Sequence, residues 1–417
     1  MNPESQAATG HSAGGVDSAY AWARLSLAVL LSTIGGVGMW SVVVVLPAVQ
    51  AEFNAGRGEA SLPYTLAMLG FAFGGIALGR MADKVGIALP VAISGAALGI
   101  GYVATGFSTQ LWQFAVIYGL IIGVGSAATF GPLMADTSHW FMRRRGIAVA
   151  ICASGNYISG TIWPPVVRYL VDTVGWRDTQ IGIGVFCAAT IIPLALMLRR
   201  PSPIHRLAPG SAPPAMGRGT MGLKPATLQW LLAGAGLACC MAMSMPQVHI
   251  VAYCGDLGYG VARGAEMLSL MLGFGIISRV ASGFIADRIG GLRTLLLGSA
   301  LQGVALVLYL GFDGLTSLYI ISAMFGLFQG GIVPSYAIIV REYFPPAEAG
   351  ARVGVALMST LFGMALGGWL SGVIFDVTLS YQAAFLNGVA WNLVNLSIVG
   401  WLLWRLRGRP QGSVVAA

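Results

Sequence analysis

Charged residues along this chain come in short clusters, and between the clusters run long apolar gaps. In the first part of the chain the gaps extend from Arg24 to Glu52, Glu59 to Arg80, Lys84 to Asp136, Arg145 to Arg168 and Asp178 to Arg199. A helix needs about 20 predominantly apolar residues to cross a bilayer core. Each gap therefore holds one span, except Lys84 to Asp136, which holds two, broken at Phe107 to Gln110. The series resumes with Lys224 to Asp256, Glu266 to Asp287, Arg293 to Asp313, Asp313 to Arg341, Arg352 to Asp376 and Asp376 to Arg405. This pattern predicts an all-α membrane protein with twelve transmembrane helices in two six-helix pseudo-repeats. The expected organisation is a polar tail over 1–23, a first half over 24–200, a linker over 201–227, a second half over 228–404 and a tail over 405–417.

Composition agrees with the pattern. Of 417 residues, 56% are hydrophobic and only 9% charged, and the mean hydropathy is +0.78, too apolar for a soluble globule. The 59 glycines suit helices that must approach closely without a hydrophobic driving force between them. The tail over 1–23, rich in Ala, Gly and Ser, lacks the basic start of a signal peptide. Pro201 to Pro225 carries six prolines and no periodicity, as a linker would. The five cysteines fall inside apolar runs without metal or disulfide spacing. No HExxH, no P-loop and no pair of carboxylates at catalytic spacing occurs, so no metal, no cofactor and no enzymatic activity is expected.

A net charge of +8 raises nucleic acid as a partner, but the distribution of the basic residues points to the lipid bilayer instead. On alternate loops, 18 of the 23 Lys and Arg lie on the side of the termini and 4 on the other, with Arg279 inside a span. By the positive-inside rule both termini are cytoplasmic, and the protein is expected as a multi-pass protein of a cell inner membrane.

The second span ends in "GRMADKVG" and the eighth in "GFIADRIG". Gly79, Asp83, Lys84 and Gly86 match Gly283, Asp287, Arg288 and Gly290, each at a shift of 204 residues. This pair of loops resembles the signature of the major facilitator superfamily, whose architecture is two six-helix halves. The final basic position of the first copy is Ile87 instead. The resemblance implies that these eight residues form a gating motif, with Asp83 bracing the start of the eleventh helix or a neighbouring basic residue. The fifth span, "WFMRRRGIAVAICASGNYISG", resembles the monocarboxylate porter family and its oxalate:formate antiporter branch, as do "VHIVAYCGDLGYG" and the stretch around Arg279. Gly146 and Gly155 have the spacing seen in proton-driven drug antiporters, but the chain then reads Ser159, Gly160 and "WPP", so the end of that motif is missing.

Arg279 is the one charge deep within a span. It stands 8 residues from Asp287 and 13 from Glu266, about 12 Å and about 20 Å along a helix. Such a charge costs about 2.5 to 3.5 kcal/mol on insertion scales, so it needs an aqueous face and an anionic partner. No acidic residue lies at that depth in another span, which leaves a carboxylate substrate as the partner for the guanidinium fork. The alternative is a structural arginine bonded to carbonyls at a helix break. The family resemblance favours the first reading, although two features that often accompany the arginine are absent: an acidic residue four positions earlier, where Gly275 stands, and a lysine in the first span. His249, the only histidine within a span, either carries a proton or is simply hydrogen-bonded; Tyr253 shares its face and Gln247 does not. Tyr118, Asn156, Tyr157, Gln329 and Tyr336 are further candidates around a carboxylate, each with an equal reading as a helix-packing group. Trp40 suits an apolar wall or an interface, and Asn387, Asn392 and Asn395 suit packing.

Together these features predict a secondary active transporter of a small organic anion working by alternating access, with protons as a second partner. The eleventh span has no basic residue after Arg352, and a single buried cation suits a single carboxylate. An anion exchanger of the oxalate:formate type is the coupling alternative, and a transporter-like ligand receptor is the alternative of another class. Oligomeric state is not specified by any of these features.

Overall fold

The computed structural model of the protein describes residues 15–142, 144–200 and 221–407. Linker residues 201–220, tail residues 1–14 and 408–417, and Arg143 of the basic cluster lie outside the described residues. The first half contains α1 (Ala19–Gly35), α2 (Val37–Phe53), the one-turn α3 (Arg57–Ala60), α4 (Leu62–Val85), α5 (Ala88–Gly106), α6 (Leu111–Ile117), a π-helical turn (Tyr118–Gly123), α7 (Val124–Ala127), α8 (Gly131–Ser138), α9 (Arg145–Val174) and α10 (Trp176–Leu196). The second contains α11 (Pro225–Asp256), α12 (Val261–Ile289), α13 (Gly291–Gly311), α14 (Leu315–Gln329), α15 (Ile332–Tyr343), α16 (Pro346–Thr378) and α17 (Tyr381–Arg407). Among the described residues eleven stretches are long and apolar enough to cross a membrane, with α1–α2, α3–α4, α6–α8 and α14–α15 each acting as one. The twelfth span is α9, whose 30 residues reach about 45 Å. Ser154, Asn156 and Ser159 interrupt its apolar run.

Close backbone approach holds each half together, as expected where small residues replace the hydrophobic drive. A Cβ at Gly326 would lie 1.9 Å from the Met271 carbonyl, and one at Gly70 would lie 2.0 Å from that of Gly119. The paired loops recur in the backbone. Gly86 and Gly290 both have φ 85°, a conformation costly for any L side chain, and their N–H groups close the preceding helices on Ala82 and Ala286 at 2.9 and 2.8 Å.

The halves meet along two antiparallel crossings related by the repeat. In one, α9 faces α12, with Ser269 donating to the Thr161 carbonyl, Tyr157 over Gly275, and Arg279 donating to the Ala153 carbonyl. In the other, α4 faces α16, with Tyr64 against Gly368, Thr65 donating to the Ala365 carbonyl at 3.1 Å, and the Phe73 and Phe362 rings 6.1 Å apart. At the face away from the termini the halves are bound tightly. Arg57 reaches both carboxylate oxygens of Asp256 at 2.7 Å, and Asp376 accepts from the backbone N–H of Arg57 and of Gly58, each at 2.7 Å. Toward the termini they part around a cavity of about 810 Å³. Side chains added at Gly75, Gly146, Gly283 or Gly354 would meet nothing within 4 Å, so these helix faces are unpartnered in this conformation.

Candidate functional site

Two helix breaks shape the middle of the molecule. α7 stops at Ala127 and α8 starts at Gly131, while α14 stops at Gln329 and α15 starts at Ile332. The shift of 204 that relates the loops carries the first break, 128–130, onto 332–334, so the interruptions fall in the corresponding span of each half but the second, at 330–331, comes about two to three residues earlier. Discontinuous spans expose backbone groups that a continuous helix would consume, and in transporters such pairs mark the binding region. Phe130 at the first break lines the cavity, and Gly330 at the second turns its carbonyl toward Arg279.

Arg279 is 9% exposed. Its Nε donates to the Gly330 carbonyl at 3.4 Å and its Nη1 to the Ala153 carbonyl at 3.0 Å, and its guanidinium carbon lies 4.2 Å from the centre of the Tyr157 ring. Among the described residues no carboxylate pairs with it, and Nη2 has no hydrogen-bond partner yet is not sealed off. The Tyr157 hydroxyl is in the same condition. The arrangement orients one cation by carbonyls and an aromatic face while leaving two donors, Nη2 and the phenol O–H, for something else. Both sequence readings of Arg279 thus meet in one side chain: it is bonded to a carbonyl at a helix break, and part of its fork is uncommitted.

Of the other candidates, the structure brings only Tyr157 to Arg279. Asn156 is adjacent in sequence, but its side chain accepts from the Trp40 indole at 3.1 Å and contacts the Met39 sulfur. Gln329 precedes the Gly330 carbonyl, and its amide oxygen is held by Gln247 at 2.9 Å. Tyr118 is fully buried inside the first half, bonded to Ser41 at 2.8 Å and to the Gly38 carbonyl at 3.1 Å. His249 bonds the Gly368 carbonyl at 2.8 Å through Nε2, within the closed crossing of α4, α11 and α16. Tyr253 packs on Tyr381 and Phe385 of α17; the expected shared face with His249 exists, but Tyr381 is what both rings meet. Tyr336 and Asn395 bond each other at 2.8 Å, and Asn392 bonds the Ser299 carbonyl at 3.0 Å, so both asparagines tie helices together.

The gating motif makes a different arrangement from the one expected. Asp83 is exposed and forms no ion pair or side-chain hydrogen bond among the described residues. It lines the cavity, as does Gly354 near the start of α16, because the helix it would brace is held away from it. Asp287 and Arg288 are likewise exposed. Sequence reasoning missed the closed-face cluster of Arg57, Asp256 and Asp376: it treated the two aspartates only as span ends and Arg57 only as one of the four basic residues on the side away from the termini. The one signal was that all three fall on the same side; which of them pair depends on tertiary packing.

A family model described as Major Facilitator Superfamily matches residues 28–315 and 267–415. Monocarboxylate transporter 13 of Rattus norvegicus is 28% identical over 372 residues, covering 82% of this chain and 83% of the relative. Monocarboxylate transporter 11 of Homo sapiens is 26% identical over 407 residues, covering 91% and 82%. Among solved structures, a bacterial homologue of the human lysosomal transporter Spinster, in an inward-facing and occupied conformation, gives a TM-score of 0.74 at 13% identity, covering 94% of this chain and 97% of that one. The nucleoside transporter NupG gives 0.70 at 14%, covering 91% and 99%. With its helices, its repeated loops and these matches, the chain belongs to the major facilitator superfamily and is a multi-pass membrane transporter, not an enzyme.

Proposed function

We propose that this chain is a secondary active transporter of a small organic anion, a monocarboxylate, and that Arg279 receives the carboxylate. The observation that carries the reading is the uncommitted Nη2 of a deeply placed guanidinium whose Nε and Nη1 each already donate to a backbone carbonyl. A guanidinium so oriented presents a charge-assisted donor without rotamer search, and the Tyr157 hydroxyl offers a second. The monocarboxylate transporters among the relatives support the same substrate class. The positive-inside bias supports cytoplasmic termini; in that orientation the cavity opens inward and the Arg57, Asp256 and Asp376 cluster closes the outside.

Alternating access would exchange these two closures, and a proton moving with the anion would make the cycle electroneutral. His249 is one candidate carrier in this reading; the alternative is the purely structural role shown by its Nε2 bond to the Gly368 carbonyl between α11 and α16. The test is uptake of labelled lactate, pyruvate or formate into proteoliposomes, with and without an imposed pH gradient. Gradient-driven accumulation that disappears in Arg279→Ala is expected. Full uptake by Arg279→Ala would refute the site, gradient-independent counterflow would replace symport with exchange, and binding without flux would point to a receptor.

A further inference from the structure

Arg279 is anchored from both halves. The Ala153 carbonyl and the Tyr157 ring belong to α9 of the first half, whereas the Gly330 carbonyl belongs to its own half, at the break between α14 and α15. The state of that carbonyl follows from the residues around it. Gly330 (φ −58°, ψ −27°) and Gly331 (φ −90°, ψ −9°) both keep right-handed helical angles, so the residue four places on is the one whose N–H a continuous helix would give to Gly330. That residue is Pro334, which has no N–H to give. The acceptor is left over, and Arg279 Nε takes it at 3.4 Å.

Two successive glycines beside a missing helix bond make a loose joint, so its place must be fixed from outside. On one side it presses on α12: a Cβ at Gly330 would lie 2.3 Å from the Gly275 carbonyl oxygen, and one at Gly331 would lie 2.1 Å from the Ser282 Cβ. On another side α11 holds it, through the bond from Gln247 Nε2 to Gln329 Oε1 at 2.9 Å. Both side chains are buried, and Gln329 Nε2 has no partner among the described residues, so this amide is kept in the interior for a single bond. We infer that Pro334 and the Gln247–Gln329 pair are positioning residues of the anion site: the proline frees the Gly330 carbonyl, the pair fixes it, and the carbonyl holds the guanidinium ready for its cargo. This rests on the reading of Arg279 as the anion site.

The test measures binding of formate and of lactate to the purified full-length chain, beside its thermal unfolding. Pro334→Ala restores an N–H that competes for the Gly330 carbonyl. It should keep the wild-type unfolding temperature yet weaken both anions on the order of three- to tenfold, the cost of ordering a long side chain only when the anion arrives. Gln247→Met with Gln329→Met strands no amide, so it should fold and weaken both anions to a similar extent. Equal loss for formate and lactate is the mark of positioning, because a glutamine that touched the cargo's body would affect lactate alone. Loss of lactate alone would therefore overturn the inference, as would wild-type affinity for both anions in either variant while Arg279→Ala still abolishes binding. Weaker binding found only alongside a lowered unfolding temperature would mean general damage and overturn it too. Binding retained in Arg279→Ala would instead remove the anion site itself.

Discussion

Tyr157 of α9 lays its ring in the space that a side chain at Gly275 of α12 would need: a Cβ there would come within 2.3 Å of ring carbon Cε1. The same ring supports the Arg279 guanidinium at 4.2 Å, so one glycine sets the place of both the aromatic and the cation. Gly275→Ala should push the ring aside, costing about 1–3 kcal/mol as an overpacked contact. It should also weaken anion binding about tenfold, a loss of ~1.4 kcal/mol. Adding Tyr157→Ala should restore thermal stability but not affinity; recovery of both would mean that the ring only fills space.

Arg279→Lys separates charge from geometry. The guanidinium makes two bonds in fixed directions, to Ala153 and Gly330, which a single ammonium on a flexible stem does not reproduce. Interhelical hydrogen bonds in membranes average ~0.6 kcal/mol, so losing one or two should lower stability by about 1 kcal/mol. Anion affinity should fall by tenfold or more even though the positive charge is kept. Wild-type affinity in the lysine variant, measured by calorimetry, would show that orientation contributes nothing.

The spans were legible because bilayer thickness imposes one length on every crossing, and charge gaps reveal that length directly. The repeat was legible because Gly86 and Gly290 must both adopt φ 85°, which leaves a residue-level trace. Arg279 was legible because a deep charge is expensive wherever it occurs. What it touches was not, since Ala153 and Gly330 contribute backbone carbonyls, and a carbonyl has no sequence identity. Tyr118 and Tyr253 illustrate the same limit from the other side. Each is a polar aromatic in a span, and only packing decides that Ser41 holds the first and the α17 rings surround the second. The unbraced Asp83 has another cause: in this conformation the start of α16 stands across the cavity from it, and the sequence carries no trace of that separation.

The closed face should yield unequally to substitution at its two carboxylates. Asp256 pairs with Arg57 while 39% exposed, and exposed pairs contribute about 0.2–1 kcal/mol, so Asp256→Ala should shift the conformational equilibrium at most about fivefold. Asp376 is exposed as well, but it takes two backbone N–H bonds at 2.7 Å, which contribute about 0.5–1.5 kcal/mol each where water competes. Asp376→Ala should therefore open the face by about fivefold or more. Labelling of Thr65→Cys with a membrane-impermeant maleimide reads this, because the five native cysteines are buried. Equal labelling in both variants would contradict the ranking.

Gly79 and Gly354 face the cavity from α4 and α16, and neither has a close neighbour: a Cβ at Gly79 would approach only Pro132, at 4.0 Å, and one at Gly354 would meet nothing within 4 Å. Small residues without a tight contact in this conformation are accounted for if the helices press together there in the other one. Gly79→Leu and Gly354→Leu should then fold with stability changed by no more than about 0.5 kcal/mol. Each should bind the anion normally from the terminus side and lose most of its transport, because the added side chains hold the halves apart. Proteoliposome flux measured beside equilibrium binding separates the two effects. Transport at the wild-type rate in either variant would mean that α4 and α16 do not close on each other at this level.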